Sequence, residues 1–240
     1  MKKTVLGMTM IFALGMMACP AAAESETEMI SEAVMTVSDE EGAEHLLELN
    51  GTYESLFGVL LDEAYAQNWL DSAVSVVGEE EAQEAVDMLQ ASITGDIIGE
   101  EAAEKYGYFD NGYAFYCGFT QDVDHIEIQD GHISAFDAEG NELASHDYTF
   151  VGYDEASGFY NYETADADAG EFTYFCFGFD TPEETYHIEF RYGSDLEALN
   201  NWVEGDYAYW MASGILEDED VQEEMAKNAS DLFVTENLAG

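Results

Sequence analysis

Short alternating segments between residues 113 and 192 constrain the fold most. Polar and apolar side chains alternate there with a period of two, which is typical of half-buried β-strands rich in Tyr and Phe. The Asp-Gly pair in QDGH predicts a two-residue hairpin, and DAEGNE predicts a longer one. Seven segments show the pattern: YAFYCGF, HIEIQ, HISAF, ASHDYTFVGY, GFYNYE, FTYFCFGF and TYHIEFRY. Seven successive strands, mostly linked by hairpins, predict a small antiparallel barrel.

Helical spacing flanks this stretch on both sides. Leu56, Val59 and Leu60 recur at intervals of three and four, and Gly58 and Gly78 divide a run that predicts two or three helices up to about residue 105. After the strands, SDLEALNNWVE and LEDEDVQEEMAKNASDLF predict C-terminal helices with acids near their starts. We therefore predict an α+β fold, with N-terminal helices, a small antiparallel barrel and C-terminal helices capping one end.

The first residues resemble an export signal. Lys2 and Lys3 precede the apolar run TVLGMTMIFALGMMA, and small residues precede an acidic start. Cleavage after Ala23 fits one processing pattern, whereas GMMAC fits a lipoprotein with Cys19 as the lipidated residue, and both endings stay open. We expect an export signal at 1–23, an acidic lead-in at 24–48 and one domain at 49–240. The mature chain would be secreted, periplasmic or a cell-surface lipoprotein, with no later stretch suited to span a membrane.

Acidic residues dominate the charge of the chain. It has 53 acidic and 5 basic residues, a net charge of −48, and loss of residues 1–23 would leave 3 basic residues against 53 acidic ones, about −50. Such a chain repels nucleic-acid phosphates and anionic lipid surfaces, which excludes both as partners. Its 47% hydrophobic content is too high for a disordered acidic tail. About 190 residues beyond the leader suffice for one buried core.

One predicted hairpin, FTYFCFGFDTPEETYHIEFRY, brings metal-binding side chains together. With Thr181 to Glu184 as its loop, Cys176 would face Glu189, Gly178 would face His187 and Asp180 would face Thr185. Because side chains alternate across a strand, two surfaces follow. The aromatic surface holds Phe175, Phe177, Phe179, Tyr186, Ile188 and Phe190, and the polar surface holds Cys176, Gly178, Asp180, Thr185, His187 and Glu189.

The polar surface of this hairpin predicts a metal site. Gly178 leaves room beside the imidazole of His187, while Asp180 and Glu189 lie within about 7 Å of it at Cβ. Three protein ligands and a water form a normal open zinc site. A solvated strand face in a very acidic chain is the alternative. A register slip of one residue would move His187 to the aromatic side.

Five stretches resemble the ZinT (YodA) family in the same order: LNGTYESLFGVLLD, GYAFYCGFTQDVDHIEIQDGHISAF, HDYTFVGY, TYHIEFRYGSD and LNNW. The resemblance runs from about Leu49 to Met225. It implies an exported, lipocalin-like (calycin) barrel that binds zinc or cadmium. In that family three histidines hold the metal, two of them as a His-x-His pair. His187 matches the first of that pair, Glu189 stands in place of the second, and Asp180 stands in place of the remaining one.

Two carboxylates in place of two imidazoles make the donor set harder. The expected ion is therefore zinc or another divalent cation, with less preference for zinc over manganese, calcium or magnesium. The chain also lacks the His-rich segment of many family members. The resemblance implies a divalent metal ion as the bound partner and a metal-uptake transporter as a partner in delivery.

The other histidines are weaker ligand candidates. His125 and His132 lie on one predicted hairpin, and His132, at the edge of the turn, is expected to be solvated. His146 and its neighbour Asp147 should point to opposite faces. His45 is expected to be a helix-edge residue, with a mobile capture arm formed with Glu41 and Glu44 as the alternative.

The two cysteines of the mature domain leave alternatives open. Cys117 and Cys176 form either a disulfide or two buried thiols, and Cys176 shares a face with the candidate ligands as a possible thiolate donor.

Catalytic motifs are absent from the sequence: it has no nucleophile elbow, Cys-His signature or phosphate loop. We expect a non-catalytic binder that buffers a divalent metal or delivers it to an uptake system. The alternative is a lipocalin-like module that binds a small organic ligand or a protein partner and has lost the metal site.

Overall fold

The computed structural model describes residues 37–95, 97–106 and 115–238. The predicted export signal and Cys19 lie outside the described residues. The helices are α1 Asp39–Glu48, α2 Leu56–Leu60, α3 Ala66–Val77, α4 Ala82–Ile93, α5 Gly99–Tyr106, α6 Leu196–Leu199 and α7 Gln222–Leu238. The strands are β1 Gly51–Ser55, β2 His125–Gln129, β3 His132–Phe136, β4 Glu142–Asp147, β5 Thr149–Asp154, β6 Phe159–Glu163, β7 Tyr174–Phe177, β8 Ile188–Gly193 and β9 Ala212–Leu216. Within the described ranges, no helix combines the length and apolar character needed to cross a membrane.

The nine strands form one antiparallel sheet that must curl. Their order is β4-β3-β2-β1-β9-β8-β7-β6-β5, so the two outer strands are neighbours in sequence and are joined by Tyr148 alone. In a flat sheet, eight strand spacings would separate these edges by roughly 38 Å. One residue spans only about 3.5 Å. The sheet therefore bends back on itself, and the prediction of an α+β fold with a small antiparallel, lipocalin-like barrel is confirmed.

Aromatic side chains fill the concave side of this sheet. On β6, β7 and β8 they occupy alternate positions, as a strand requires when one face is buried. Tyr162, Phe175, Phe177, Phe190 and Tyr192 are each 1% exposed or less. Phe175, Phe177, Ile188 and Phe190 of the predicted aromatic surface therefore belong to the barrel core. Tyr186, predicted on the same surface, packs instead against the second core on the helical side.

Helices cover the convex side of the central strands. Ile215 of β9 points outward and is fully buried in a second core that it shares with Trp69 of α3, Leu89 of α4 and Val234 of α7. Phe233 of α7 makes an edge contact with Trp69, at 5.8 Å between ring centroids. The C-terminal helix α7 thus packs with the N-terminal helices against the outside of the barrel wall.

The strands differ from the predicted ones in three places. ASHDYTFVGY forms two strands, β4 and β5, with the corner at Tyr148 between them. In YAFYCGF, residues 113 and 114 lie outside the described residues, and Tyr116 makes an isolated bridge to Trp210 in place of a ladder. Strands β1 and β9 were not predicted, although they pair with each other at the centre of the sheet.

Helix α1 covers the last ten residues of the acidic lead-in. Ser38 begins it with a capping box, in which the Ser38 side chain accepts from the Glu41 backbone N–H while the Glu41 carboxylate accepts from the Ser38 backbone N–H. His45 and Leu46 are buried on its inner face.

Candidate metal centre

The candidate ligands lie where β7 and β8 separate. Strand β7 ends at Phe177 and β8 begins at Ile188, so Asp180 and His187 belong to the connecting segment and Glu189 to the start of β8. Tyr186 has a φ of 68°, a left-handed conformation that interrupts the extended backbone just before His187. The connection is therefore longer than the four-residue loop that the sequence predicted.

The predicted hairpin register was wrong by two residues. Cys176 pairs with Arg191 and not with Glu189, and the Gly178 N–H donates to the Glu189 carbonyl at 2.8 Å. A shift by an even number leaves the residues of β7 and β8 on their predicted faces. Asp180, His187 and Glu189 consequently remain together on the convex side of the sheet, although their predicted cross-strand partners were incorrect.

The backbone fixes the orientation of the His187 ring. Nδ1 lies 2.8 Å from the Thr185 carbonyl oxygen. A carbonyl only accepts, so Nδ1 carries the proton and donates it, and in the neutral ring Nε2 presents a free lone pair. Metal-binding histidines typically have this arrangement, with one ring nitrogen tied to a backbone carbonyl.

Both carboxylates approach that free nitrogen. Nε2 of His187 lies 3.9 Å from Oδ1 of Asp180 and 3.8 Å from Oε1 of Glu189. In tetrahedral zinc coordination with bonds of about 2.0–2.1 Å, neighbouring ligand atoms are about 3.3 Å apart. These two distances are thus about 0.5 Å too long for a shared tetrahedral ion, and in the described ranges no group of three or more His, Cys, Asp or Glu side chains is placed so that it could hold a metal ion. Metal binding here would require the three side chains to move inward.

Burial makes the cluster electrostatically sensitive. Asp180 is 7% exposed, and its Oδ2 has no hydrogen-bond partner within the described residues. Burial, reinforced by the Glu189 charge, raises the pKa of Asp180 to about 6, while His187 opposes the rise. Burial disfavours the charged form of His187, but Glu189 and Asp180 outweigh it and raise the pKa of the imidazole to about 9. Without a metal ion, a protonated imidazole therefore lies between the two acids.

A glycine leaves space beside the buried carboxylate. A Cβ on Gly178 would lie 3.4 Å from Oδ2 of Asp180 and 3.7 Å from Cβ of Glu189. The predicted register placed this space beside the imidazole, whereas the observed register places it beside the two acids. Once the imidazole loses its proton, its Nε2, an unpartnered buried carboxylate oxygen and a second carboxylate fit the donor set of a divalent cation.

His45 is not a mobile capture arm. It is 7% exposed, its Nδ1 lies 2.9 Å from the Tyr162 hydroxyl, and its ring stacks on Tyr160 at 4.0 Å between centroids. The expectation of a helix-edge residue was also wrong. Nothing in the spacing of EEGAEHLLE distinguishes a buried histidine from one at the edge.

The remaining histidines pair with other residues. His132 lies 2.8 Å from Asp147 and 2.9 Å from Ser145, and His146 lies 2.9 Å from Asp166. His125 stacks on Phe136 at 4.9 Å. His146 and Asp147 point to opposite faces, as predicted. His146 therefore pairs with Asp166, whereas Asp147 pairs with His132.

The two cysteines among the described residues, Cys117 and Cys176, are free thiols. Burial raises the pKa of Cys176 and of Cys117, and at Cys117 the nearby Glu189 charge adds to the effect. Protonated thiols are poor metal ligands. In the observed register, Cys176 lies opposite Arg191 and not opposite Glu189. Arg191 is two residues from Glu189 along β8. The carboxylates and the imidazole therefore remain the principal donors.

These features define the class of protein: a curled antiparallel barrel with an outer helical layer and a histidine–carboxylate cluster where β7 and β8 separate. Among solved structures, the chain is similar to the Zn(II)-bound ZinT-like domain of Streptococcus pneumoniae AdcA, with 18% identity and a TM-score of 0.47 over 83% of this chain and 94% of that one. It is also similar to Zn(II)-bound AdcA from the same organism, with 19% identity and a TM-score of 0.43 over 77% of this chain and 35% of that one.

The sequence matches no protein-family model and no curated protein. The first of the two solved structures is described as ZinT-like. At these identities and TM-scores the likeness is no basis for a function.

Proposed function

We propose that this protein binds one divalent metal ion, zinc or a similar cation, through Asp180, His187 and Glu189. The observation that carries the proposal is the approach of both carboxylates to within 3.9 Å of the free nitrogen of His187. An ion at this point would take the place of the imidazole proton and give the unpartnered Asp180 oxygen a ligand. Metal uptake at neutral pH would thus release a proton.

The donor set bears on the choice of ion. One imidazole and two carboxylates are harder than three imidazoles, so manganese should compete with zinc better than it does at a three-histidine site. Zinc still ranks above manganese for most mixed nitrogen and oxygen sites. We expect zinc to bind more tightly than manganese, by a smaller margin than at a three-histidine site.

The proposed setting is outside the cytoplasm. The apolar run after Lys2 and Lys3 supports export, and the family resemblance supports metal buffering or delivery to an uptake system. The role is non-catalytic: the three side chains hold and release an ion. A transporter or its metal-binding subunit is the proposed partner in delivery.

The alternative, a barrel that binds a small organic ligand, has less support. Aromatic side chains that are 1% exposed or less fill the concave side at β6, β7 and β8. A ligand at that position would have to displace them.

Calorimetric zinc titration of the exported form tests the proposal. The solution should hold about 0.15 M salt, where screening over about 8 Å weakens diffuse counterion binding to the acidic surface. We expect one zinc ion per chain, and loss of that stoichiometric binding in Asp180→Asn and in His187→Ala. The matched control is His132→Ala, which removes an exposed histidine that also lies beside an acid. Equal binding by all four proteins would refute the proposal.

A further inference from the structure

A second unpartnered polar group lies beside the candidate centre. Ser213 of β9 is 1% exposed, and its hydroxyl finds no hydrogen-bond partner in the part of the chain that the structure describes. Its backbone N–H donates to the Cys117 carbonyl at 3.1 Å. The backbone is thus satisfied while the side chain is not. Buried hydroxyls rarely remain without a partner, and a missing water or ion is one recognised reason.

The sheet register places Ser213 directly opposite Glu189. Opposite residues of an antiparallel pair share a face, with Cβ atoms about 4.5–5.5 Å apart. Ser213 therefore lies on the convex side, together with the candidate ligands. The Ser213 hydroxyl makes no direct hydrogen bond to a candidate ligand atom, and a water molecule can bridge polar groups that are too far apart for one.

Two buried polar atoms without partners thus lie on either side of Glu189. Oδ2 of Asp180 belongs to the segment after β7, and Oγ of Ser213 belongs to the strand on the other side of β8. A cation held by His187, Asp180 and Glu189 would give the Asp180 oxygen a partner. A water molecule on that cation would give the Ser213 hydroxyl one.

We propose that Ser213 positions a metal-bound water, so that three protein ligands and this water complete the coordination shell. The proposal rests on the proposed function and adds a fourth, oxygen-donor position with a defined direction. A neutral hydroxyl is a weak ligand by itself, but it orients water well because it both donates and accepts. Ser213 is in this sense a positioning residue.

The substitution Ser213→Ala has opposite expected effects on the two states of the full chain. Without metal, the hydroxyl has no partner to lose, so the melting temperature should stay the same or rise. With metal, the water loses its anchor. Removing a partner in the outer shell typically weakens metal affinity about 10–100-fold. We expect zinc affinity, measured by competition with a chromophoric chelator, to fall at least 10-fold with one ion still bound.

The cobalt(II) absorption spectrum separates positioning from a structural role. A change in the orientation or number of bound waters alters the visible bands, so the Co²⁺-loaded Ser213→Ala protein should differ from wild type. Ser134→Ala is the matched control, since Ser134 is a buried serine on the same side of the sheet whose hydroxyl pairs with Ser145 at 3.0 Å. It should leave the zinc affinity and the cobalt spectrum unchanged.

Each outcome decides between specific claims. Unchanged zinc affinity and cobalt spectrum in Ser213→Ala, with Asp180→Asn still inactive in binding, would overturn the Ser213 proposal alone. The Ser213→Ala protein could instead bind zinc more weakly, keep the wild-type cobalt spectrum and melt at a lower temperature without metal. That result would show a structural role for Ser213 and would also overturn the Ser213 proposal. Failure of the wild-type protein to bind zinc would overturn the metal-binding function and the Ser213 proposal together.

Discussion

His187 shows how a single backbone contact prepares a side chain for a ligand. The Thr185 carbonyl holds Nδ1, and the free Nε2 then faces two acids. The residue types at 180, 187 and 189 were readable from the sequence. The left-handed turn at Tyr186 that orients the ring was not, because a bulky side chain gives no signal for positive φ. Ser213 lacked a signal as well, since its importance depends on a neighbour 24 positions earlier.

His45 supplies a prediction about acid stability. Burial lowers the pKa of its imidazole to about 4 in the folded protein, against about 6.5 in the unfolded chain. The unfolded state therefore binds more protons between these values, and stability falls as pH drops from 6.5 toward 4. At pH 4.5 this single residue should lower the unfolding free energy by roughly 2 to 3 kcal/mol.

Urea unfolding of wild type and His45→Gln at pH 7.0 and 4.5 measures this effect. The loss of stability on acidification should be roughly 2 to 3 kcal/mol smaller in the variant, because glutamine does not titrate. The 53 acids contribute alike to both proteins and cancel in the difference. An identical loss in the two proteins would show that the pKa of His45 is the same in the folded and unfolded states.

The elements were predictable where their pattern is local. The face of each residue on β7 and β8 follows from alternation alone, which is why the candidate ligands stayed together despite the wrong register. Strand β1 was not predicted because its five residues are followed directly by the helical spacing that begins at Leu56. Its pairing with β9 joins Tyr53 to Leu216, a contact that no local pattern carries.

Arg191 fastens one irregular segment to the barrel wall. This fully buried residue of β8 donates to the carbonyls of Leu199, Asn201 and Tyr207, and its guanidinium lies 5.4 Å from the Trp202 ring centre. Burial lowers its pKa to about 10, so the side chain stays charged at neutral pH. The segment that contains α6 depends on this single cation for three of its carbonyls.

Arg191→Met should therefore destabilise the protein by roughly 3 kcal/mol, since buried carbonyls lose their donors. Limited proteolysis should also cut the chain faster between residues 195 and 207. Lys227→Met is the control, because Lys227 is an exposed cation paired with Glu223 within α7. The unfolding midpoint of the Lys227→Met protein should match that of wild type. If Arg191→Met were as stable and as protease-resistant as this control, the segment would be held by its apolar contacts alone.

At the scale of the whole molecule, charge and shape separate two kinds of metal binding. A net charge of −48 attracts divalent cations to the entire surface, weakly and without defined geometry. The cluster at the end of β7 and β8 differs because it lies between the barrel wall and the helical layer, where Asp180 is buried and charges interact strongly. The stoichiometry and position of the bound ion therefore distinguish binding at the cluster from binding to the acidic surface better than total metal content does.

Anomalous diffraction at the zinc edge tests the central claim most directly, with crystals of protein loaded with one equivalent of Zn²⁺ and then desalted. The account predicts one dominant peak about 2.0–2.2 Å from Nε2 of His187 and from oxygens of Asp180 and Glu189. A dominant peak at surface carboxylates or beside His132 or His146, with no density between Asp180 and Glu189, would contradict it.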